Sequence, residues 1–251
     1  LSYKCSVLLN ITNHAEDTFQ WYVDEIPQAG ETGKSYTYAA TPADVGEHTL
    51  KVVVSDGSSR LWKIQVVTAG TTWRTTIGGG SQDAAQCVIP SADGGFAVAG
   101  LSASSDIPGA SLHGKQDAYL AKLDADGKVQ WQRLYGGQAD DAFFSMQQTA
   151  DGGYIVAGAS QSTDIAETNP HGGYDAYLAK IDALGNLEWQ RLYGGADDDE
   201  ALVVRQTQDG GYILAGSTYS ANIAGASSQG DSDFYIVKTD AQGEVQWERL
   251  F

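Results

Sequence analysis

One spacing constrains this chain more than any other feature. Trp73, Trp131, Trp189 and Trp247 follow one another at intervals of 58 residues. The Asp-Gly-Gly triplets that begin at Asp93, Asp151 and Asp209 keep the same step, as do Asp117, Asp175 and Asp233, and Lys122, Lys180 and Lys238. A period of this size marks a repeat architecture, in which each unit is one supersecondary block that buries its apolar face against its neighbours.

Within one period the signals are those of strands. In the second copy, residues 142–149 (AFFSMQQT), 154–159 (YIVAGA), 175–182 (DAYLAKID) and 187–193 (LEWQRLY) read as strands. Asp151-Gly152-Gly153, a polar loop over 160–174 and Leu184-Gly185-Asn186 separate them. Four antiparallel strands per unit describe a β-propeller blade. The second strand is apolar throughout, as expected of a strand covered on both faces. Composition agrees: 30 Gly, 5 Pro and 19% charged residues in 251, with no long helix-forming run. The blades expected are 78–135, 136–193 and 194–251. Rings close with about four to eight blades, and Trp73 falls in a lone strand before the first. The expectation is therefore part of a larger protein, or a ring closed between chains.

Residues 1–70 do not share the period. Short strands over 5–12, 19–26, 35–40, 47–55 and 61–67 suggest a β-sandwich, with Trp21 in its core. Residues 68–72 read as a linker to the repeats, which fill 71–251. The fold class expected is all-β: an immunoglobulin-like sandwich followed by propeller blades. His14 and His48 are expected to be exposed. Cys5 and Cys87 read as two buried free thiols, with a disulfide between modules as the alternative.

Two resemblances support this division. Trp21-Tyr22-Val23-Asp24, Tyr36-Thr37-Tyr38, Gly46-Glu47-His48-Thr49-Leu50 and Val54-Ser55-Asp56-Gly57 resemble bacterial immunoglobulin-like and polycystic-kidney-disease (PKD-type) domains over about 65 residues. In that family a further first strand precedes the one expected over 5–12. The run DGGYIVAG followed by DAYLAKID and WQRLYGG, present in three related copies, resembles repeats of secreted bacterial and archaeal surface proteins that form propellers. Those repeats carry "DGD" and "HGG.D" elements before the third strand. Here His171-Gly172-Gly173-Tyr174-Asp175 keeps the second element, His113-Gly114-Lys115-Gln116-Asp117 keeps it in part, and Gln229-Gly230-Asp231-Ser232-Asp233 lacks the His. The first element is reduced to Asp106, Asp164 and Asn222. The resemblance implies an extracellular or cell-surface location.

The net charge of −17 disfavours phosphate backbones and anionic membranes and favours cations. No apolar run reaches transmembrane length, so no membrane insertion is expected. In a propeller, the loops between strands two and three share one face with the connections between blades. That face would collect Asp83, Asp106, Asp117, Asp140, Asp141, Asp164, His171, Asp175, Asp198, Asp199, Asp231 and Asp233 as candidate ligand residues. Oxygen-rich loops suit calcium, which extracellular modules bind at about 10⁻⁴–10⁻³ M. Asp140, Asp141, Asp164 and Asp175 are the candidate set, since the second copy keeps the most family-like pattern. The alternative is that each Asp hydrogen-bonds its own turn or the blade backbone. Carboxylates that recur with the blades argue against a single acid/base site. No Gly-x-Ser-x-Gly elbow is present. The recurring Trp residues are expected to pack between blades.

The function expected is non-enzymatic binding or scaffolding, including adhesion, with protein or carbohydrate partners at the cell surface and further blades of this or another chain. No cofactor other than calcium is anticipated. The rival readings are the propeller part of a secreted glycan-degrading enzyme and a passive spacer.

Overall fold

The computed structural model describes residues 5–7, 18–29, 36–38, 46–55, 59–66, 73–166, 168–223 and 230–251. Its regular elements are strands, with no helix among the described residues. The chain divides into two compact units, Leu1–Thr72 and Trp73–Phe251.

The first unit contains β1 (Cys5–Val7), β2 (Phe19–Val23), β3 (Ile26–Pro27), β4 (Tyr36–Tyr38), β5 (Gly46–Val54) and β6 (Ser59–Val66). One antiparallel sheet has the order β3-β2-β5-β6, and β1 pairs with β4 in a second. Alternation in β2 turns Phe19 and Trp21 inward, where they lie opposite Val54 and Val52 and are buried with them. Trp21 is a core residue, as its setting in the sequence suggests.

Residues 19–26 do not form the single strand expected. The chain reverses at Asp24 and Glu25, both at positive φ (49° and 64°), and Val23 then pairs with Ile26. Left-handed backbone costs a non-glycine residue about 1–2 kcal/mol. Asp24 offsets it by accepting the Thr49 N–H at 2.7 Å and meeting His48 Nδ1 at 2.6 Å. His48, expected to be exposed, is therefore half-buried and paired. His14 and the part of the 5–12 strand beyond Val7 lie outside the described residues.

The second unit is three copies of one sheet. The first is β7 (Asp83–Pro90), β8 (Phe96–Ser102), β9 (Asp117–Leu123) and β10 (Val129–Tyr135). The second is β11 (Asp141–Gln148), β12 (Tyr154–Ser160), β13 (Asp175–Ile181) and β14 (Leu187–Tyr193). The third is β15 (Asp199–Gln206), β16 (Tyr212–Thr218), β17 (Asp233–Thr239) and β18 (Val245–Leu250). Each is antiparallel in sequence order. The first strands share a register shift at equivalent places, between Ala85 and Cys87, Phe143 and Ser145, and Ala201 and Val203. Cys87 is a free, half-buried thiol.

Successive sheets meet face to face, with β11 packed against both β7 and β15. Ala99, Leu120 and Tyr135 of the first repeat join Phe143, Met146 and Tyr177 of the second in one core. Ile155, Leu178 and Tyr193 of the second join Val204, Leu214 and Tyr235 of the third in another. Each buried Val, Leu, Ile, Phe or Met side chain among them contributes about 1.5–3 kcal/mol. Both β12 and β13 are buried along their whole length, so the double cover expected of the second strand extends to the third.

The seams are pinned by the residues that set the period. Trp131 donates its indole N–H to Ala183 O of the next repeat at 3.2 Å and meets Tyr154 edge-on at 6.1 Å. Trp73 makes the same pair of contacts, with Ala125 O at 3.1 Å and Phe96 at 5.7 Å. Tyr135 and Tyr193 donate their hydroxyls to Gly185 O and Gly243 O at 2.8 and 2.6 Å. Within each repeat, and not across the seams, Lys122, Lys180 and Lys238 are buried and reach the Asp-Gly-Gly aspartates Asp93, Asp151 and Asp209 at 2.8–2.9 Å.

Candidate functional site

The acidic loops do gather where successive repeats join. After β10 the chain crosses to β11 through Gly136 and Gly137. Gly136 has φ 135°, and a Cβ there would run into the Asp141 carboxylate. That carboxylate opens β11. Its Oδ2 accepts the Gly137 N–H and the Ser162 hydroxyl, both at 2.8 Å, and its Oδ1 accepts the Ser160 hydroxyl. Asp164 Oδ1 accepts the Gln138 N–H at 2.9 Å, and Ser162 Oγ accepts the Ala139 N–H at 2.9 Å. Three successive amides of the connection are thus satisfied by side chains of β11 and of the loop after β12. The Gly137 amide is buried, and left unmet it would cost about 1–3 kcal/mol.

The same lattice recurs. In the first repeat Asp83 takes Gly79 N–H at 2.8 Å and Ser104 Oγ at 3.1 Å, and Asp106 takes Gly80 N–H at 2.8 Å. In the third, Asp199 takes Gly195 N–H at 2.6 Å and Ser220 Oγ at 3.0 Å. Asn222 stands where Asp106 and Asp164 stand, and its Oδ1 takes the Ala196 N–H at 2.8 Å. The role needs one acceptor oxygen and no charge, which is why Asn serves.

A second set caps the turn before the third strand. Asp117 accepts the N–H groups of His113 and Gly114 at 2.7 and 3.1 Å and meets His113 Nδ1 at 2.8 Å. Asp175 accepts the His171 N–H at 3.0 Å, with His171 Nδ1 3.3 Å from its other oxygen. Asp233 is buried at the equivalent place, while Asp231 is exposed. Asp198 Oδ1 accepts the Tyr174 N–H at 2.9 Å, and the N–H of Asp199 donates to Tyr174 O at 2.6 Å, lacing the second repeat to the third. Asp140 is half-buried, and its backbone bridges to Gln116.

Burial raises the Asp141, Asp175 and Asp199 carboxyls above the ordinary value near 3.8, against the hydrogen bonds that pull them down.

The quartet Asp140, Asp141, Asp164 and Asp175 is not drawn to one point. Asp141 lies opposite Ser160, and Ser160 lies opposite Asp175. Two strand spacings, about 10 Å, separate the Asp141 and Asp175 backbones. Asp141 already accepts three hydrogen bonds, whereas Oδ1 of Asp175 and Oδ1 of Asp199 are buried without a hydrogen-bond partner. No group of three His, Cys, Asp or Glu residues with metal-holding geometry occurs among the described residues. Serines 102, 104, 160, 162 and 220 were not singled out in the sequence, although they follow its 58-residue step with Thr218.

A cleft of about 570 Å³ opens between the second and third repeats, lined in part by Asn169, His171, Arg191, Asn222, Glu244 and Glu248. Both of its glutamates are engaged: Glu244 with Arg191 at 3.0 Å and Glu248 with the Tyr235 hydroxyl at 2.8 Å. The cleft can take a small polar ligand and presents no pair of free carboxylates. No helix among the described residues is long and apolar enough to cross a membrane.

No family model matches the chain. It is 25% identical over 161 residues to Regulatory protein FlaEY of Caulobacter vibrioides, a match covering 59% of this chain and 16% of that protein. The matched region thus spans about a sixth of that relative's length. Among solved structures, rhamnogalacturonan lyase YesW aligns with 94% of this chain and 56% of its own, at 13% identity and a TM-score of 0.31.

Proposed function

We propose that the three sheets are propeller blades and that the protein is a non-enzymatic binding or scaffold module, joined to an immunoglobulin-like sandwich and working outside the cell or at its surface. The blade reading is supported by the side-by-side first strands and by the return at both junctions of the tyrosine-hydroxyl bond to the next sheet's turn glycine and of the turn amide bonded to the next first strand's glutamine. The observation that carries the functional reading is the fate of the carboxylates. Asp83, Asp141 and Asp199 each accept the equivalent glycine amide and serine hydroxyl, and Asp106, Asp164 and Asn222 each accept the next amide. Side chains committed to amides in this way hold loops still. A catalytic pair needs two groups of unlike environment at one place. A rigid loop face and a polar cleft suit recognition of a protein or carbohydrate at the cell surface. Calcium enters this reading as a counter-ion of the −17 surface.

The test is a surface-resonance screen against immobilised polysaccharides and extracellular-matrix proteins, run beside assays for new reducing ends and unsaturated uronides. Saturable binding without product is expected, weakened by His171→Ala or Asn169→Ala at the cleft. Turnover of any polysaccharide would contradict the non-enzymatic reading, and absence of both binding and turnover would leave the chain a spacer.

A further inference from the structure

The two junctions between repeats differ in how they use their carboxylates. At the first, every oxygen of the pair is bonded. Asp117 takes the amides of His113 and Gly114, one on each oxygen. Asp141 takes the Gly137 amide and the Ser160 and Ser162 hydroxyls. At the second junction the equivalent groups are Asp175 and Asp199, 1% and 0% exposed, and each keeps one oxygen without a hydrogen-bond partner. Their other oxygens take the amides of His171 and Gly195 at 3.0 and 2.6 Å. The Asp199 N–H donates to Tyr174 O at 2.6 Å, so the two side chains leave neighbouring stretches of backbone. His171 and Gly195 both line the cleft of about 570 Å³. The two carboxylates therefore hold two parts of its wall.

A buried carboxylate oxygen without a donor is costly. Among the described residues no Lys or Arg pairs with either group, and His171 Nδ1 stands 3.3 Å from the orphan oxygen of Asp175. We propose that His171, Asp175 and Asp199 act as one proton-binding unit, and that the proton it holds fastens the 171–174 loop to the 194–199 connection and so sets the shape of the cleft. On the imidazole or on a carboxyl, that proton supplies the donor that the orphan oxygens lack.

The surroundings favour its retention. Burial raises both carboxyls, and the charge of Asp199 raises Asp175 further. Asp140, Asp141, Asp198 and Glu200 surround Tyr174, beside the unit. The Tyr235 hydroxyl also senses the charge of Asp199. Asp233 lies opposite Thr218, and Thr218 opposite Asp199. All of these groups are acidic. Arg191, the guanidinium of the cleft, is engaged by Glu244 at 3.0 Å. The folded unit thus binds a proton more tightly than its separated groups do in the unfolded chain. Its contribution is complete in acid and is lost as pH rises. The proton step rests on these contacts alone, and its consequence for binding rests on the cleft being the ligand site.

The test is amide hydrogen exchange of the whole chain, read by NMR as protection factors at about pH 5.5 and about pH 8. Protection of the His171 and Gly195 amides is expected to fall about fivefold or more at the higher pH, as when about one hydrogen bond is lost. The His113 and Gly137 amides are expected to keep theirs. Asp175→Asn retains an acceptor for the His171 amide without the charge, and is expected to remove the pH dependence. In the parent, the Asp175 carboxyl-carbon and His171 imidazole signals are expected to move in one shared step. Protection at the second junction that ignores pH, an equal fall at both junctions, or a variant that keeps the pH dependence overturns the proposal. Separate, unlinked steps at Asp175 and His171 also overturn it, and this readout stands even where Asp175→Asn fails to fold. No ligand enters either measurement, so this result and the binding screen fail separately.

Discussion

The indole N–H of Trp131 donates to the carbonyl oxygen of Ala183 at 3.2 Å, joining residues 52 positions apart across a seam between repeats. The ring also rests over Gly185, whose φ of 84° leaves no unstrained place for a side chain. Trp131→Ala should cost about 3 kcal/mol, and Gly185→Ala about 1–2 kcal/mol from backbone strain, before any displacement of the ring. Trp247 is 40% exposed and has no such bond among the described residues, and Trp247→Ala in this chain should cost about 0.5 kcal/mol or less. Urea unfolding of the three variants checks the order. Equal losses at Trp131 and Trp247 would remove the seam from the explanation.

The buried lysines differ in how many partners they keep. Lys122 has one carboxylate, Asp93, whereas Lys180 has both Asp151 and Glu188. An unpaired buried charge is costly, so neutralising the sole partner matters more. Asp93→Asn should lower the unfolding midpoint more than Asp151→Asn, and Glu188→Gln in the Asp151→Asn background should close the gap. Equal midpoints for the two single variants would count against the pairing.

Two classes of carboxylate titrate in opposite senses. The Thr149 hydroxyl, then Lys180, hold Asp151 down to about 2, and the Thr207 hydroxyl, then Lys238, do the same for Asp209. These groups favour the fold above pH 3.8 and lose that contribution as pH falls toward 2. Asp141, Asp175 and Asp199 are raised by burial, so the folded state holds their protons more tightly than the unfolded chain. Their ionisation disfavours the fold, and stability through them rises as pH is lowered from neutrality toward 3.8. As acid is added at constant ionic strength, the contribution of the seam carboxylates should rise before that of Asp151 and Asp209 is lost toward pH 2. Carboxyl-carbon NMR should place Asp141 above 3.8 and Asp151 below it. An Asp141 carboxyl at or below 3.8 would show that the seam carboxylates are not held as described.

The repeated sheets were legible because the 58-residue step aligns every strand and turn: the expected 187–193 strand is β14, and the expected 175–182 strand differs from β13 by one residue. The hairpin at Asp24 and Glu25 was not, because neither residue is Gly or Asn. What holds it comes from His48 and Thr49, which no local pattern exposes. The loop face was legible as a gathering of Asp residues but not as a lattice. The serines that complete it carry no charge and sit in loops, and only their shared step with Asp141 could have tied them together. Asn222 looked like loss of an acidic element, yet one carbonyl oxygen does all that the position requires.

The most direct measurement is the unfolding free energy of Asp141→Ala and Asp199→Ala, set beside Asp140→Ala and Asp197→Ala on the same face. If the carboxylates exist to hold the connections, the first pair should each lose about 3 kcal/mol, the loss expected when charged hydrogen bonds are removed and donors are stranded. The second pair should stay within about 0.5 kcal/mol of the parent. Residues kept for chemistry or metal binding strain the fold, and their removal commonly stabilises it. Asp141→Ala or Asp199→Ala as stable as the parent, or more so, would contradict the structural role and return the loop face to the status of an active or metal site.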